Sequence, residues 1–237
     1  MTYIILAAGK GTGLQPFTLK TPKPLYKLNS DTTVLRRTVT LIRQFDPNAE
    51  IVVVAGFMYE QILRQVEREN VTIVRNPFYA ATGSISSLWF AKKYLERDNI
   101  AVLNADIVTD SKLVEDVICK STDRPYVLID SSRTGGRYNV QINGDRICVI
   151  SKALSSYYAQ YASITKLDAV SARFLMDEID NMVNGGMYDR LFEDALVQMI
   201  FENDFELYYK DIKDYAWAEI DTVDDLLKAR EVQNSAD

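Results

Sequence analysis

Short apolar runs alternate with amphipathic stretches through the first half of the chain, and this alternation restricts the fold more than any other feature. "YIIL" (3–6), "EIVVVAG" (50–56), "VTIV" (71–74), "IAVLNAD" (100–106) and "PYVLID" (125–130) read as strands. Between them, "TVLRRTVTLIRQF" (33–45), "MYEQILRQVEREN" (58–70), "SISSLWFAKKYLE" (84–96) and "SKLVEDVICK" (111–120) read as helices. The β-branched run at 51–54 reads as a strand buried in the sheet. Strands alternating with helices imply βαβ units and a mostly parallel sheet. The second half changes character. "RYNVQINGDRICVIS" places Asn143-Gly144-Asp145 between two alternating runs, a hairpin signal. A further strand follows over 157–167, then helices over 168–183 and 187–203, the first opening on a capping Asp168. "FELYYKDI" and "AWAEID" read as short strands and "TVDDLLKARE" as a closing helix.

Composition narrows the function classes. Of 237 residues, 47% are apolar, enough for a sizeable core. The 27 basic and 33 acidic residues leave a net charge of −6, which argues against nonspecific nucleic-acid binding. No apolar run approaches the ~20 residues of a membrane helix. The first residues lack the basic flank of a signal peptide, so a cytoplasmic protein with no membrane partner is expected. Cys119 and Cys148 sit in apolar contexts and read as free, buried thiols. There is no histidine at all. That excludes Ser-His-Asp and Cys-His catalysis, and points any metal toward carboxylate ligands.

The first strand runs directly into "AAGKGTGLQPFTLKTPKPLYKL". Glycines at 9, 11 and 13 let backbone N–H groups approach an anion closely, and Lys23 and Lys27 add positive charge. Two known glycine motifs fail. The dinucleotide fingerprint needs glycine where Leu14 stands, and the P-loop pattern is missing. Pro16, Pro22 and Pro24 keep the segment extended. The loop therefore holds phosphate in a third way.

This stretch resembles the opening signature of the nucleotidyltransferases that act on sugar 1-phosphates and on phosphocholine-like acceptors. Their pattern is roughly L/I-A-A-G-x-G-T/S-R-L-x-P-x-T-x-x-x-P-K-P-L/M. The likeness extends along most of the chain, through "VLNADIV" and "AEIDTVDDLLKAR". One position departs: the family's arginine falls on Gly13, leaving Lys10, Lys20 and Lys27 as the nearest loop cations. The resemblance implies a GT-A-like nucleotidyltransferase fold, an α/β architecture with a Rossmann-like sheet flanked by helices, an inserted hairpin and a helical acceptor-binding region. It implies one domain over 1–237, with 1–130 as the nucleotide-binding core. Residues 131–237 then carry the acceptor-binding part and a second metal motif. A homodimer is compatible with this reading.

The implied reaction joins a nucleoside monophosphate to a phosphorylated acceptor and releases pyrophosphate. Both reactants are polyanions, so charge neutralisation and alignment dominate, and no base of neutral pKa is required. By resemblance, Asp106 and Asp221 are the Mg²⁺ ligands, and Lys23 and Lys152 the catalytic cations. Leu6, Ala8, Gly9, Gly11, Thr12, Gly56, Gly83, Ser84 and Ser87 are the nucleotide-binding residues, with Phe57 beside Gly56. Glu219 shares the face of Asp221 by strand alternation. The compact chain resembles the small cytidylyltransferases, so CTP is favoured. The alternatives are a sugar-1-phosphate uridylyl- or thymidylyltransferase and a catalytically weak nucleotide-binding relative. Tyr158 and Tyr161, with Asp189, Glu193 and Asp194, offer aromatic and acidic groups suited to a small acceptor bearing an ammonium, such as phosphocholine.

Overall fold

The computed structural model describes residues 1–133 and 135–234. Their main element is a nine-stranded sheet in the order β3-β2-β1-β4-β9-β6-β10-β8-β7. The strands are β1 (Thr2–Ala7), β2 (Glu50–Ala55), β3 (Thr72–Arg75), β4 (Ile100–Asn104), β6 (Tyr126–Asp130), β7 (Asn139–Asn143), β8 (Arg146–Ser151), β9 (Ala159–Leu167) and β10 (Tyr208–Asp211). The first four are parallel, as their crossover connections require. β9 enters between β4 and β6 antiparallel to both. The sheet is thus parallel over β3, β2, β1 and β4 and mixed beyond them. The β7–β8 hairpin turns on Gly144-Asp145, with Asn143 paired to Arg146 and Gly144 at φ +62°.

Alternation sorts the core into two faces. Ile4 and Leu6 of β1 join one apolar cluster with Ile85 and Leu88, whereas Tyr3, Ile5 and Ala7 join another with Leu35 and Val39. Helices α3 (Ser84–Phe90), α5 (Ala169–Asn184) and α6 (Phe192–Asn203) cover the first face. Helices α1 (Val34–Phe45) and α2 (Tyr59–Val66) cover the second. The short α4 (Ser111–Leu113) runs on into a π turn over Val114–Ile118, and α7 (Val223–Asn234) closes the chain. Asp168 caps α5 as expected, accepting hydrogen bonds from the amides of Val170 and Ser171.

Three differences from the sequence reading have local causes. α3 stops at Phe90 and continues as a 3₁₀ turn over Lys92–Glu96. α6 begins at Phe192 rather than 187, where the Asp194 carboxylate accepts from the Leu191 amide. A three-residue strand, β5 (Ile107–Thr109), pairs antiparallel with β11 (Trp217–Glu219) and is too short for periodicity to reveal. Both cysteines are free and half-buried. No helix among the described residues is long and apolar enough to cross a membrane.

Candidate active site

The β5–β11 ribbon assembles the site. Ile107 pairs with Glu219, and the Ile220 amide donates to the Asp106 carbonyl at 3.0 Å. Asp106 and Asp221, 115 positions apart in sequence, therefore emerge side by side at the carboxyl edge of the sheet, where open α/β sheets bind ligands. Asp221 does not cap α7. Asp225 instead accepts from the amides of Asp221 and Thr222 and from the Thr222 hydroxyl, leaving the Asp221 carboxylate to the cavity.

Lys23 lies between the two carboxylates. Its Nζ is 2.8 Å from Asp106 Oδ2 and 3.0 Å from Asp221 Oδ1. Burial pushes the lysine pKa down, but the two aspartates outweigh it and the net shift is upward. Asp106 Oδ1 is buried with no hydrogen-bond partner among the described residues. A carboxylate oxygen left without a donor at a sheet edge is an acceptor awaiting a cation or a ligand.

The glycine-rich loop forms one wall of a cavity of ≈620 Å³, which is also lined by Lys23, Asp106 and Asp221. Gly11 needs its hydrogen: it sits at φ +62°, and a Cβ would lie 2.9 Å from the Thr18 methyl. The Thr18 hydroxyl donates to the Gly11 carbonyl at 2.9 Å and holds the loop in place. On the facing wall, the start of α3 is stitched to the segment before α6. The Gly83 amide donates to the Tyr188 carbonyl and the Ile85 amide to the Arg190 carbonyl. Ser84 Oγ accepts from the Phe192 amide at 3.0 Å, and Ser86 Oγ donates to the Tyr188 carbonyl at 2.7 Å. Asn76 Nδ2 donates to Ser87 Oγ at 3.0 Å, orienting it.

The same cavity is lined by Arg137, Tyr138, Leu191, Glu193 and Glu219. Glu193 is almost wholly buried, and burial pushes its carboxyl up to about 7. Burial, then Asp106 and Asp221, raises Glu219 well above the usual carboxylate range, while Ser163 Oγ donates to it at 3.2 Å. Arg137 Nη1 reaches Asp221 Oδ1 at 2.7 Å. Lys152 stands 4.7 Å from the centre of the Tyr138 ring, its pKa lowered by burial and then by Arg137.

Most of the expected residues converge on this cavity: Leu6, Ala8, Gly9, Gly11, Thr12, Lys23, Gly83, Ser84, Ser87, Asp106, Glu193, Glu219 and Asp221 line it. Four do not. Gly56 lies behind Tyr79, where a Cβ would meet the Tyr79 Cβ at 2.5 Å, so packing accounts for its glycine. Tyr158 is exposed at the far edge beside Tyr209, with ring centres 6.1 Å apart. Tyr161 is fully buried and shares a hydrogen bond with Thr165 Oγ1 at 2.8 Å. Asp189 is exposed, and only its carbonyl approaches the wall, against Gly83. Gly83 occupies the N-cap of α3. Nor do Lys20 and Lys27 reach the cavity; Lys27 Nζ turns to the Ser30 carbonyl. Sequence reasoning missed Arg137, Tyr138 and Tyr79. Arg137 and Tyr138 open the run that sequence reasoning treated only as a hairpin, and they form the bend just before β7.

Glycine-cradled backbone at a sheet edge, one buried lysine and paired carboxylates define a nucleotidyltransferase of the GT-A-like fold. The chain belongs to the MobA-like NTP transferase domain family, whose model matches residues 3–179. It is 27% identical to a choline-phosphate cytidylyltransferase of Streptococcus pneumoniae, across 98% of both chains. It is 37% identical to a 2-aminoethylphosphonate cytidylyltransferase of Lancefieldella rimae, over 44% of this chain and 42% of that one. Among solved structures, the CTP:phosphocholine cytidylyltransferase from Streptococcus pneumoniae superposes with a TM-score of 0.78 at 23% identity, covering 98% of both chains. The inositol-1-phosphate CTP transferase from T. maritima gives 0.76 at 16% identity, covering 98% of this chain and 97% of that one.

Proposed function

We propose that this protein transfers CMP from CTP to a small phosphorylated acceptor bearing an ammonium group, of the phosphocholine type, and releases pyrophosphate. The observation that carries the reading is an aromatic and acidic group of side chains in the cavity lining. Tyr138 lines the cavity together with two acids, the buried Glu193 and the half-buried Glu219. An aromatic face and carboxylates together attract a cationic headgroup. The curated relatives named above support the choice of CTP and of a phosphorylated amine. On this reading residues 1–130 supply the nucleotide wall and 131–237 the acceptor wall, and the enzyme works in the cytoplasm beside its triphosphate supply.

The chemistry needs alignment more than proton transfer. An acceptor phosphate oxygen forms a bond to the α-phosphorus while the bond from that phosphorus to the β-bridging oxygen breaks, and the electron pair leaves with pyrophosphate. Backbone N–H groups of the Gly9–Gly13 loop face the phosphates. Lys23, freed from its aspartates, offsets charge on the reacting group. The wall of Gly83, Ser84 and Ser87 borders the nucleotide end, and Ser87 is held by Asn76. Glu193 and Glu219 orient the acceptor's cationic end, keeping its phosphate pointed at the nucleotide.

Asp106 and Asp221 would hold Mg²⁺, and the unpartnered Asp106 Oδ1 suits that role. Two carboxylates, completed by phosphate oxygens and water, match the way Mg²⁺ is usually held. Bound there, the ion would offset the triphosphate's charge.

The test is pyrophosphate release with Mg²⁺, each of the four common NTPs, and a panel of phosphocholine, phosphoethanolamine, 2-aminoethylphosphonate, glycerol phosphate and hexose 1-phosphates. The expected result is turnover with CTP and an amine-bearing acceptor, lost in Asp106→Ala. Turnover with a hexose 1-phosphate alone would overturn the acceptor assignment.

A further inference from the structure

Asn76 follows β3, is fully buried and does not itself line the cavity, yet it is bonded to a side chain that does. Every polar atom of its side chain is engaged. Oδ1 accepts from the Phe78 backbone amide at 2.9 Å. A backbone N–H can only donate, so this bond settles which end of the side-chain amide is oxygen. Nδ2 therefore points the other way and gives its two hydrogens to Thr82 Oγ1 at 3.1 Å and to Ser87 Oγ at 3.0 Å. Thr82 passes its own hydrogen on to the Phe78 carbonyl at 3.0 Å. Ser87 has no such outlet. It is buried, it lines the cavity, and among the described residues its hydroxyl hydrogen meets no acceptor. Ser87 Oγ could take a second hydrogen bond only by leaving that hydrogen unpaired, which strands a buried donor. The wall thus offers the cavity a donor at this point.

Strand order says what the donor meets. Ser87 sits on α3, which packs over β1, β2 and β3. The glycine loop follows β1, and Asp106 follows β4 on the other side of β1. With the phosphates at the loop and the aspartates, the heterocycle falls on the β2–β3 side, against Leu6, Ala8, Thr82, Gly83 and Ser87, which carry no charge. A donor there pairs with a ring nitrogen that accepts. N3 of cytosine is such an acceptor, whereas N3 of uracil carries a hydrogen and is itself a donor. We propose that Asn76 is a positioning residue for base selection: by filling one acceptor site of Ser87 Oγ, it fixes that hydroxyl as a donor that pairs with cytosine N3 and refuses uracil. This rests on the proposed function, in which Ser87 borders the nucleotide. Asn76 acts only through Ser87 and touches no substrate.

The experiment measures CTP and UTP affinities by calorimetry, with Mg²⁺ and no acceptor, in wild type, Asn76→Asp, Ser87→Ala and the double variant. Asn76→Asp keeps the shape but puts oxygen where the amide gave hydrogen. The Phe78 amide and the Ser87 hydroxyl both donate to that carboxylate and keep it ionised. Ser87 then turns a lone pair to the cavity, and the CTP-to-UTP affinity ratio falls roughly tenfold or more. Ser87→Ala lowers CTP affinity and leaves that for UTP within about twofold, since uracil does not use the donor. In the double variant the ratio equals that of Ser87→Ala, because Asn76 has no other route to the base. A merely structural role would lower both affinities together and add to the Ser87 loss. Circular dichroism checks folding. Should Asn76→Asp not fold, Asn76→Ala, which frees the hydroxyl without adding charge, must lower the ratio in its place. Wild type supplies a check that needs no variant: 3-deaza-CTP, with C–H where cytosine has N3, binds roughly tenfold more weakly than CTP. Equal binding of the two overturns the proposal, as does a ratio in the Asn76 variant equal to that of wild type, and both results leave the proposed function standing. A wild type that turns over no acceptor removes the proposed function alone, and a CTP preference erased by Asn76→Asp still upholds the positioning role. A wild type that prefers UTP removes both.

Discussion

Replacing Lys23 by Met tests the electrostatic frame of the site. Among the described residues, Lys23 is the partner of the Asp106 carboxylate, at 2.8 Å, whereas Asp221 keeps Arg137 as a second cation. The gross attraction across 2.8 Å is about 6 kcal/mol at an effective dielectric constant of ~20. The desolvation that the lysine no longer suffers offsets part of it. Stranding one partner of a buried pair costs roughly 3–5 kcal/mol, and the partial exposure of Asp106 brings the expectation to the lower end, about 3 kcal/mol. For a chain of this length that lowers Tm by roughly 6–12 °C. Differential scanning calorimetry and urea unfolding at pH 7.5 measure it. The assignment to a stranded charge is checked by Lys23→Met/Asp106→Asn, which should regain most of the loss through the coupling between neighbouring sites. Mg²⁺ should raise the Tm of Lys23→Met more than that of the double variant. A single variant within about 1 kcal/mol of wild type, or a double variant no better than the single, would refute the reasoning.

Gly83→Ala should cost more than about 2 kcal/mol and reduce turnover, because a Cβ there lies 1.9 Å from the Arg190 carbonyl oxygen and backbone must shift; urea unfolding and pyrophosphate release check both. Glu193, with its carboxyl near 7, must shed its proton to attract a cation, so acceptor affinity should rise about tenfold between pH 6 and 8. Glu193→Gln should flatten that rise for choline, which has no phosphate to titrate. Lys166 is fully buried on β9, donating to the Lys120 carbonyl at 2.7 Å and to that of Ile118, with its pKa pushed down to about 7 by burial. Cys119 and Asp46 pull it upward and Lys210 opposes them. The folded state then holds fewer protons than the unfolded chain above pH 7, so stability rises with pH there. Between pH 7 and 8.5, below the range where the burial-raised Cys119 thiol would begin to count against the fold, the gain is roughly 1.5 kcal/mol. Lys166→Met should lose that slope in urea unfolding curves at stepped pH.

Much of this protein is local, and what is local could be read from residues alone. The apolar runs at 3–6 and 51–54 become the parallel strands β1 and β2 because a fully apolar strand needs cover on both faces, which only flanking helices supply. The glycine loop, Lys23 and both aspartates likewise belong to contiguous motifs. Tertiary structure decided the rest. Asp106 and Asp221 meet only because β5 pairs with β11, two three-residue strands far apart in the chain. Side-chain direction removed Tyr158 and Tyr161 from the site: one faces solvent at the sheet edge and the other the core, although their sequence context is equally aromatic. Arg137 entered it from the start of the hairpin run, whose alternation signals a strand but not that its first residue reaches Asp221. A motif specifies the chemistry of its own residues, but which distant charges face one another depends on strand pairing and on the turn that carries a side chain inward. Those follow from long-range packing, not from neighbours in sequence.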